Sequence, residues 1–477
     1  MSGLKINKIL PYLICFIFFL AYATLSVVRH LHYGSFGFDL GLTDQVVWEY
    51  SQFHAPITTI DHIPFISNLL VHVELIYILL APFYWIYNNV ITFILLQAFF
   101  ATTSGIPVFL LAKKHGLNKF ICYALLVSYL MFYGVQNALW FDVHSTVFGT
   151  SFLSWFIYFL DAGYLWPSLT AFFLTIISKE NYAAMTLLIS FVYLVYRRER
   201  KQFLFIGLSI LYLFLIFGIY YPHFVGGYRF QSQQGLFGGL NLLDFINTKD
   251  KLQVIGYTFA WTGLLSLLQP VFLIPLIGNL ASYFILGREV STAQGLFLQY
   301  RIELAPLLIL ATVYGIERIK KLNVAWTGFY LLFCVAILQY QLHLPLSYLT
   351  KGYFWREPAS VKNINTIISY IPDNASVVAQ DNIIPHVSHR EDIFTLWPDK
   401  KTFLSDSPCG KVVCDWFRWT DRPQYLIVDT GPDWDIRHLL ANREDYINGL
   451  NNLEKAKIIS KFKQKGNAVL YKIQKQP

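Results

Sequence analysis

The sequence predicts a polytopic α-helical membrane protein with about 11 transmembrane helices and a small C-terminal α/β domain outside the cytoplasm. Three observations lead to this prediction. Of the 477 residues, 55% are hydrophobic and only 14% are charged, a balance that ordinary soluble proteins do not have. Long apolar runs recur along the first 349 residues. From residue 350 onwards, the apolar runs shorten to strand length.

The first apolar run, Ile9 to Val28, sets the orientation of the chain. It is about 20 residues long, enough to cross a bilayer, and no small-residue cleavage site follows it. We therefore interpret it as an uncleaved first helix. Lys5 and Lys8 precede it, which predicts a cytoplasmic N-terminus. The segment 30–65 is then the first external loop.

The next two apolar runs, 66–87 and 90–112, are separated by only two asparagines. If both crossed the membrane, the lysines that follow the second run would lie outside, against the positive-inside rule. We therefore expect the run 66–87, which carries His72 and Glu74, to lie in the interface or to re-enter the membrane. The later predicted spans are 119–139, 146–161, 165–178, 181–196, 202–222, 253–269, 271–286, 302–318 and 324–345.

The net charge of +8 fits the same topology. Lys and Arg cluster in short loops such as 197–201 and 317–321, which this topology places in the cytoplasm. The positive-inside rule thus explains the charge, and we expect no nucleic-acid partner. The predicted location is the cell membrane, with the C-terminal domain on the extracytoplasmic side.

The residues after 350 are predicted to form a small soluble α/β domain, so the predicted domains are 1–349 and 350–477. The predicted buried strands are 376–379, 425–428 and 468–471, and the predicted helices are 358–370 and 436–452. No Gly-rich phosphate-binding loop is present in the sequence. The simplest interpretation is a cap that shapes the substrate site or binds a partner. Cys409 and Cys414 allow a small disulfide if this domain is outside the cell, which the sequence leaves open.

Several polar motifs fall on the outer face in this topology. They are Asp39 with Asp44, His72 with Glu74, Asp142 with His144, Ser178 to Asn181, and Tyr300 to Glu303. Each has a structural alternative, because acids at helix ends are often only solvated or act as caps, and a histidine on an apolar run can be a packing residue. Their convergence on one side favours a functional site over these separate alternatives.

The residue types in these motifs suit the transfer of a group from a phosphate. Asp39 can act as a general base toward an acceptor hydroxyl. Asp142 and His144 offer hard ligands suited to Mg²⁺ or Mn²⁺. A cation, or Lys179 and Arg301, can neutralise a leaving phosphate. An enzyme embedded in the membrane would naturally use a donor linked to a lipid phosphate.

The motifs together resemble the predicted membrane protein family called domain-of-unknown-function family 2079. The residues that carry the resemblance are Phe38-Asp39-Leu40-Gly41, Asn68 and His72 before Leu79-Leu80-Ala81-Pro82, Phe141-Asp142-Val143-His144, Lys179-Glu180, Arg301-Ile302-Glu303-Leu304-Ala305-Pro306, Ile371-Pro372, Ala379-Gln380 and Pro385-His386-Val387-Ser388-His389-Arg390. They extend over nearly the whole chain.

That family is similar to the C-type glycosyltransferase superfamily, whose members transfer a sugar from a polyprenyl-phosphate donor on the outer membrane face. The resemblance implies a C-type glycosyltransferase-like fold. It implies that Asp39 is the hallmark acid of the first external loop and that Asp142 is the second acid. One departure is that Tyr300-Arg301, followed by Glu303, stands where a His-Tyr pair is expected.

The sequence therefore predicts an integral membrane glycosyltransferase in which Asp39 is the catalytic residue, either as the base or as the carboxylate that orients the acceptor. Lys179, Glu180, Arg301 and His72 are the predicted substrate-binding residues, and Asp142 and His144 the predicted metal ligands. The expected partners are a lipid-linked sugar donor, membrane lipids and an acceptor that the sequence does not identify. A transporter or flippase for a lipid or polar solute is the main alternative, although it would place its ionisable groups near the bilayer midplane. A scaffold whose external domain binds a partner is a third.

Overall fold

The computed structural model describes residues 2–60, 66–67, 69, 72–226, 242–285, 294–396, 423–432, 434 and 443–474. Most of the described chain is helical, and a small sheet is present near the C-terminus, as the sequence predicts. Asn68 and the possible Cys409–Cys414 disulfide lie outside the described residues.

The chain divides into two compact units. The first unit contains Met1–Ser26, Leu69–Leu79 and Ile94–Lys351, and the second contains Val27–Asn68, Leu80–Phe93 and Gly352–Pro477. The second unit thus combines the C-terminal part of the chain with residues of the first predicted external loop. The division of the sequence into domains 1–349 and 350–477 stays a prediction.

The α-helices before residue 351 are the main elements of the chain. They are α1 (Ser2–Leu31), α2 (Leu42–Ser51), α3 (Ile76–Leu80), α4 (Val90–Thr103), α5 (Gly105–Lys114), α6 (Lys119–Met131), α7 (Tyr133–Trp140), α8 (Ser145–Ala162), α9 (Leu165–Ile176), α10 (Tyr182–Arg197), α11 (Gln202–Leu213), α12 (Lys249–Trp261), α13 (Ile274–Phe284), α14 (Leu304–Arg318) and α15 (Ala325–Gln341). Helices of π type cover Gly37–Gly41 and Phe214–Val225, and short 3₁₀ helices cover Ala81–Trp85, Leu242–Phe245, Leu265–Leu268, Pro270–Leu273, Gln299–Arg301, Lys320–Leu322 and Pro345–Thr350.

Four helical stretches of the described chain are long and apolar enough to cross a membrane. They are Ile9–Leu31, Val90–Lys114, Lys119–Trp140 and Gln202–Val225. Shorter apolar helices cover Ile76–Trp85, Leu165–Ile176, Tyr182–Arg197 and Pro270–Phe284. The prediction of a membrane protein is confirmed at this level. The number of crossings, about 11 by the lengths of the apolar runs, stays a prediction.

Local sequence explains several helix boundaries in the first unit. The side chain of Asn118 accepts a hydrogen bond from the Phe120 amide at 2.9 Å and so caps the start of α6. Helix α8 ends at Gly163, which has a φ of 83°. Glycine adopts this left-handed conformation without the steric cost that a side chain would add.

One carboxylate joins the ends of several helices in the first unit. Asp161, at the end of α8, is buried and lies 2.7 Å from Lys114 Nζ and 2.8 Å from Arg197 Nη2. The hydroxyls of Tyr193 and Tyr314 also donate to it, at 3.0 and 2.5 Å. Two cations and two hydroxyls offset the cost of burying this charge. Asp161 therefore connects α5, α8, α10 and α14.

The second unit contains a five-stranded mixed sheet. The strands of this unit are β1 (Ile57–Thr58), β2 (Ile66–Ser67), β3 (Val377–Ala379), β4 (Ile393–Thr395), β5 (Tyr425–Asp429), β6 (Ile459–Lys465) and β7 (Ala468–Ile473). The sheet has the order β4-β3-β5-β7-β6, in which β3 is parallel to β4 and β5, and β7 is antiparallel to β5 and β6. Strands β3, β5 and β7 include the residues that the sequence predicts as buried strands, except Ser376, which precedes β3.

Apolar clusters cover both faces of this sheet. On one face, helix α16 (Ala359–Ile368) packs with Val361, Ile364 and Ile367 against Val377. On the other face, helix α17 (Arg443–Lys455) contributes Tyr446, Leu450 and Leu453. Short 3₁₀ helices also occur at Gly352–Trp355 and Ile384–His386. The sheet is thus the middle layer of a small α/β arrangement, as expected for the C-terminal residues.

Candidate functional site

The connection between α9 and α10 places a buried glutamate beside a histidine. Glu180 is fully buried, and its Oε1 lies 2.7 Å from Nδ1 of His72. The Val73 amide donates to the other carboxylate oxygen at 3.2 Å. Burial raises the pKa of Glu180. The charge of His72, its hydrogen bond and the charge of Lys179 lower this pKa by more, so the pKa is about 2. Glu180 therefore carries its charge at neutral pH.

Lys179 is the cationic member of this connection. It is half-buried, and among the described residues its side chain forms no hydrogen bond or ion pair. Burial lowers the pKa of Lys179, but Glu74, Glu180 and Glu303 attract the charged form more strongly, so the net pKa is raised. Three carboxylates therefore hold its ammonium in the charged form.

Glu303 is the third carboxylate of this region, and it is fully buried. The side chain of Asn181 donates to its Oε1 at 2.9 Å. Asn279 donates to its Oε2, as does the Tyr283 hydroxyl at 3.4 Å. Amide and hydroxyl donors of this kind satisfy a buried carboxylate without neutralising it. The position of Asn181 joins Glu303 to the connection that carries Lys179.

Arg301 is fully buried two residues before Glu303. Its Nε donates to the Gly295 carbonyl at 3.0 Å, and its guanidinium carbon lies 4.9 Å from the centre of the Tyr283 ring. Helix α7 approaches its backbone very closely, because a Cβ on Gly134 would lie 2.3 Å from the Arg301 carbonyl oxygen. Only glycine at position 134 permits this contact. The described contacts of Arg301 are those of a residue that holds its own segment in place.

Asp142 and His144 lie in the connection between α7 and α8. His144 Nδ1 lies 3.0 Å from the Asp142 carbonyl oxygen, and the His144 amide donates to Gln97 Oε1 at 2.9 Å. The next residue, Ser145, donates to Glu74 at 2.5 Å. This bond connects the segment to the residues around His72. His72, Lys179 and Glu180 therefore lie together, and Asp142 and His144 belong to a segment that contacts the same neighbourhood.

Within the described residues, no group of three or more His, Cys, Asp or Glu side chains is arranged to hold a metal ion. With Nδ1 directed at the Asp142 carbonyl, His144 could bind a cation only through Nε2. A site built from Asp142 and His144 would thus depend on substrate oxygens or water for its other ligands, which is a common arrangement for Mg²⁺.

Asp39 lies in the second unit, on the π-helix Gly37–Gly41. Such short π segments occur often at functional sites. Asp381 Oδ1 accepts hydrogen bonds from the amides of Gly37 and Phe38, at 2.9 and 3.4 Å. A Cβ on Gly41 would lie 2.7 Å from the Ile384 side chain. The chain around residues 381–384 therefore fixes the turn that carries the half-buried Asp39.

Residues 29–444 match the family described as "Predicted membrane protein (DUF2079)". The chain belongs to this family. Among solved structures, the crystal structure of ArnT from Cupriavidus metallidurans in the apo state is similar to this DUF2079 protein. The sequence identity is 13% and the TM-score is 0.53, and the match covers 96% of this chain and 97% of ArnT. No curated protein sequence matches the chain significantly.

The ArnT-like fold agrees with the fold that the motif resemblance implies. At 13% identity, the comparison establishes a similar fold and assigns no residue a role. The roles of Asp39, His72, Asp142, His144, Lys179, Glu180 and Arg301 stay predictions.

The structure adds residues that the sequence analysis did not single out as site residues. Asn181 and Glu303 belong to the polar motifs 178–181 and 300–303, two residues from Lys179 and Arg301, and that proximity was the available signal. Gln97 and Asn279 lie inside apolar runs. A buried amide in a membrane helix requires a partner, and that requirement could have drawn attention to them. Asp381 carried no such signal, because its partners are backbone amides far away in sequence.

Proposed function

We propose that this protein is an integral membrane glycosyltransferase of the C type that transfers a sugar from a polyprenyl-phosphate donor to an acceptor outside the cytoplasm. The observation that supports this most is the ArnT-like fold over 96% of the chain, since ArnT is a C-type glycosyltransferase. The motif resemblance points to the same superfamily. Fold alone does not establish activity, so the proposal also depends on the chemistry of the site residues.

Lys179 is proposed to bind the phosphate of the donor. Its ammonium is charged and has no hydrogen-bond partner among the described residues, which suits it to an incoming anion. The Glu180–His72 pair, with the carboxylate buried, holds the connection that carries Lys179. Glu180 and His72 therefore act on the donor mainly by positioning the lysine. Arg301 is fully buried, and we assign it a supporting role in the same region.

Asp39 is proposed to accept the proton of the acceptor hydroxyl. In the transfer, the acceptor oxygen forms a bond to the anomeric carbon of the sugar while the bond from that carbon to the phosphate oxygen breaks. The electron pair of the broken bond leaves with the polyprenyl phosphate, and the hydroxyl proton passes to the Asp39 carboxylate. A divalent cation held by Asp142 and His144 would neutralise charge on the leaving phosphate when bound.

The direct test is transfer in proteoliposomes that contain the full-length protein. A panel of polyprenyl monophosphates carrying labelled hexoses, N-acetylhexosamines or pentoses would be supplied with lipid and glycan acceptors. We expect Asp39→Asn to lower transfer by about 100-fold or more, the size of effect expected for loss of a general base. We expect Lys179→Gln to raise the KM for the donor.

Two exposed residues of helix α12 serve as matched controls for these variants. Asp250→Asn and Lys249→Gln make the same chemical changes at exposed positions and should leave transfer unchanged. Full activity of the Asp39→Asn protein would remove Asp39 from the mechanism. Movement of the labelled lipid between leaflets without transfer of its sugar would instead favour the flippase alternative.

A further inference from the structure

The second unit contains a buried carboxylate that three different segments share. Asp44, in the first turn of α2, is completely buried. The hydroxyl of Tyr84 donates to its Oδ1, and the hydroxyl of Ser388 donates to its Oδ2. Nε2 of His389 lies 3.0 Å from the same Oδ2. The proposed function uses none of these residues.

The ring of His389 lies against this carboxylate and two aromatic rings, and its Nε2 makes no hydrogen bond of normal geometry within the described residues. Its ring stacks on Trp48 with 6.0 Å between centroids, and Tyr84 lies 5.1 Å away on a tilted plane. The side chain is 20% exposed, and among the described residues its Nδ1 forms no hydrogen bond. A carboxylate behind one imidazole nitrogen favours the proton there, which leaves the other nitrogen as a hydrogen-bond acceptor.

The other polar residues of the motif Pro385 to Arg390 have different surroundings from His389. His386 is stacked between His30 and Tyr33, with centroid distances of 4.1 and 3.8 Å, so both faces of its ring are covered. The hydroxyl of Ser388 is committed to Asp44. In the segment Pro385 to Arg390, His389 is therefore the histidine that lies beside a carboxylate.

From this geometry we infer that Asp44, His389 and Trp48 form a subsite for a sugar, in which His389 Nδ1 accepts a hydrogen bond from a sugar hydroxyl. A sugar ring presents hydroxyls and an apolar C–H face, and an aromatic ring beside a polar acceptor suits both. Trp48 is half-buried, and its ring stacks on the imidazole of His389. The inference rests on the proposed function only for its choice of carbohydrate as the ligand class.

The charges at the pair favour a neutral hydroxyl over other ligands. A phosphate would approach an imidazole that is backed at 3.0 Å by the Asp44 carboxylate, which opposes an anion. A metal is disfavoured because Tyr84, Ser388 and His389 already surround both carboxylate oxygens. The sugar could be that of the lipid-linked donor or that of a glycan acceptor, and the experiment separates these two sources.

The test measures the accessibility of His389 in the wild-type, full-length protein in nanodiscs. Diethyl pyrocarbonate modifies accessible imidazoles, and mass spectrometry reports the rate at His389, with exposed His54 and His343 as internal references. The probes are polyprenyl monophosphates carrying a hexose, N-acetylhexosamine or pentose, the same lipid without sugar, and the methyl glycosides. We expect at least one sugar-bearing probe to slow modification of His389 severalfold and to leave both references unchanged.

The pattern of protection identifies which molecule supplies the sugar. Two of its outcomes overturn the inference. Protection by the sugar-bearing lipids alone assigns the subsite to the donor, and protection by methyl glycosides assigns it to an acceptor-type sugar. Equal protection by the lipid without sugar would mean that the phosphate or tail is recognised, which overturns the inference. Absence of protection by every probe overturns it as well.

A pair of variants supplies a second measurement. His389→Phe keeps a planar ring but removes the acceptor nitrogen, and we expect it to weaken the protecting probe's affinity about tenfold, the effect of losing one ordinary hydrogen bond. His389→Asn places an amide oxygen close to the position of Nδ1 and should restore part of this loss. His54→Gln is the matched control, because His54 also pairs with a carboxylate, Glu49, at 2.9 Å, but is 51% exposed.

Failure of this inference differs from failure of the proposed function. If sugars protect His389 but the wild-type protein transfers none of them, the subsite stands and the glycosyltransferase proposal falls. If the protein transfers sugar and no probe protects His389, the subsite falls and the proposed function stands.

Discussion

The carboxylate of Asp381 accepts a hydrogen bond from the backbone amide of Gly37 at 2.9 Å and a second, longer one from Phe38 at 3.4 Å. These two amides begin the π-helix on which Asp39 lies. Asp381, which lies just after strand β3, therefore fixes the turn that carries the predicted catalytic residue Asp39. The sequence suggests that the C-terminal residues form a cap. They also hold part of the first predicted external loop in place.

Removing the Asp381 side chain should loosen this turn. We expect Asp381→Ala to cost about 1–3 kcal/mol of stability, because two backbone amides lose their acceptor. Amide hydrogen exchange should rise at residues 37–41. Asp381→Asn retains an oxygen acceptor and should show a smaller effect in both measurements. Unchanged exchange at Gly37 in Asp381→Ala would show that the hydrogen bond does not hold the turn.

A methyl group at Gly134 should disturb the segment that carries Arg301. Because the added Cβ would lie 2.3 Å from a backbone oxygen, α7 or the Arg301 segment must move. We expect Gly134→Ala to destabilise the protein by about 1–3 kcal/mol. The control is Gly207→Ala in α11, where the new Cβ meets no atom within 4 Å and should be neutral or slightly stabilising. Thermal unfolding in detergent compares the two, and equal melting temperatures would contradict the expectation.

Acid should destabilise the second unit through His386. Burial, with a smaller contribution from His30, lowers the pKa of His386 well below its ordinary value. Below about pH 6.5, the unfolded chain binds a proton that the folded chain resists, so stability is retained above this pH and falls as the pH decreases. The slope due to this group approaches about 1.4 kcal/mol per pH unit.

The variant His386→Phe keeps a ring between His30 and Tyr33 and should flatten this pH dependence. The control is His343→Gln, because His343 is exposed and its replacement should leave the dependence as it is. Melting temperatures measured from pH 8 to pH 5 provide the comparison. A dependence that is the same in both variants would assign the acid sensitivity to other groups.

Loss of the Asp161 charge should lower the stability of the first unit. In Asp161→Asn, Lys114 and Arg197 lose the carboxylate that offsets their charge, and we expect a cost of about 3 kcal/mol. The matched variant Glu357→Gln removes a carboxylate that is 44% exposed and lies 3.6 Å from Lys362, which is 69% exposed. An exposed pair contributes at most about 1 kcal/mol, so this control should change the melting temperature little.

A divalent cation should support activity if Asp142 and His144 bind one. We expect EDTA to lower sugar transfer and Mg²⁺ or Mn²⁺ to restore it, with Asp142→Asn requiring more of the ion. The controls are buffer without added divalent cation and Ca²⁺, which takes more ligands, at longer distances, than Mg²⁺ does. Full transfer after exhaustive chelation would remove the cation from the proposal.

The sequence by itself determined that this is a membrane protein with a small α/β region near its C-terminus. Composition and the lengths of apolar runs decide this, because the bilayer requires long apolar helices and a buried strand needs only a few apolar residues. The resemblance carried by the motifs also gave the family, which the match over residues 29–444 confirms.

Only the tertiary structure decided which polar groups meet. His72 and Glu180 are 108 residues apart in the chain, and Asp44 and Ser388 are 344 apart. Hydrophobic periodicity specifies which face of a helix is buried, but it does not specify which distant helix or loop supplies the partner for a buried charge. That choice depends on how the elements pack, which no local pattern records. The same limit explains why Asp381 and His389 gained significance only when their neighbours were known.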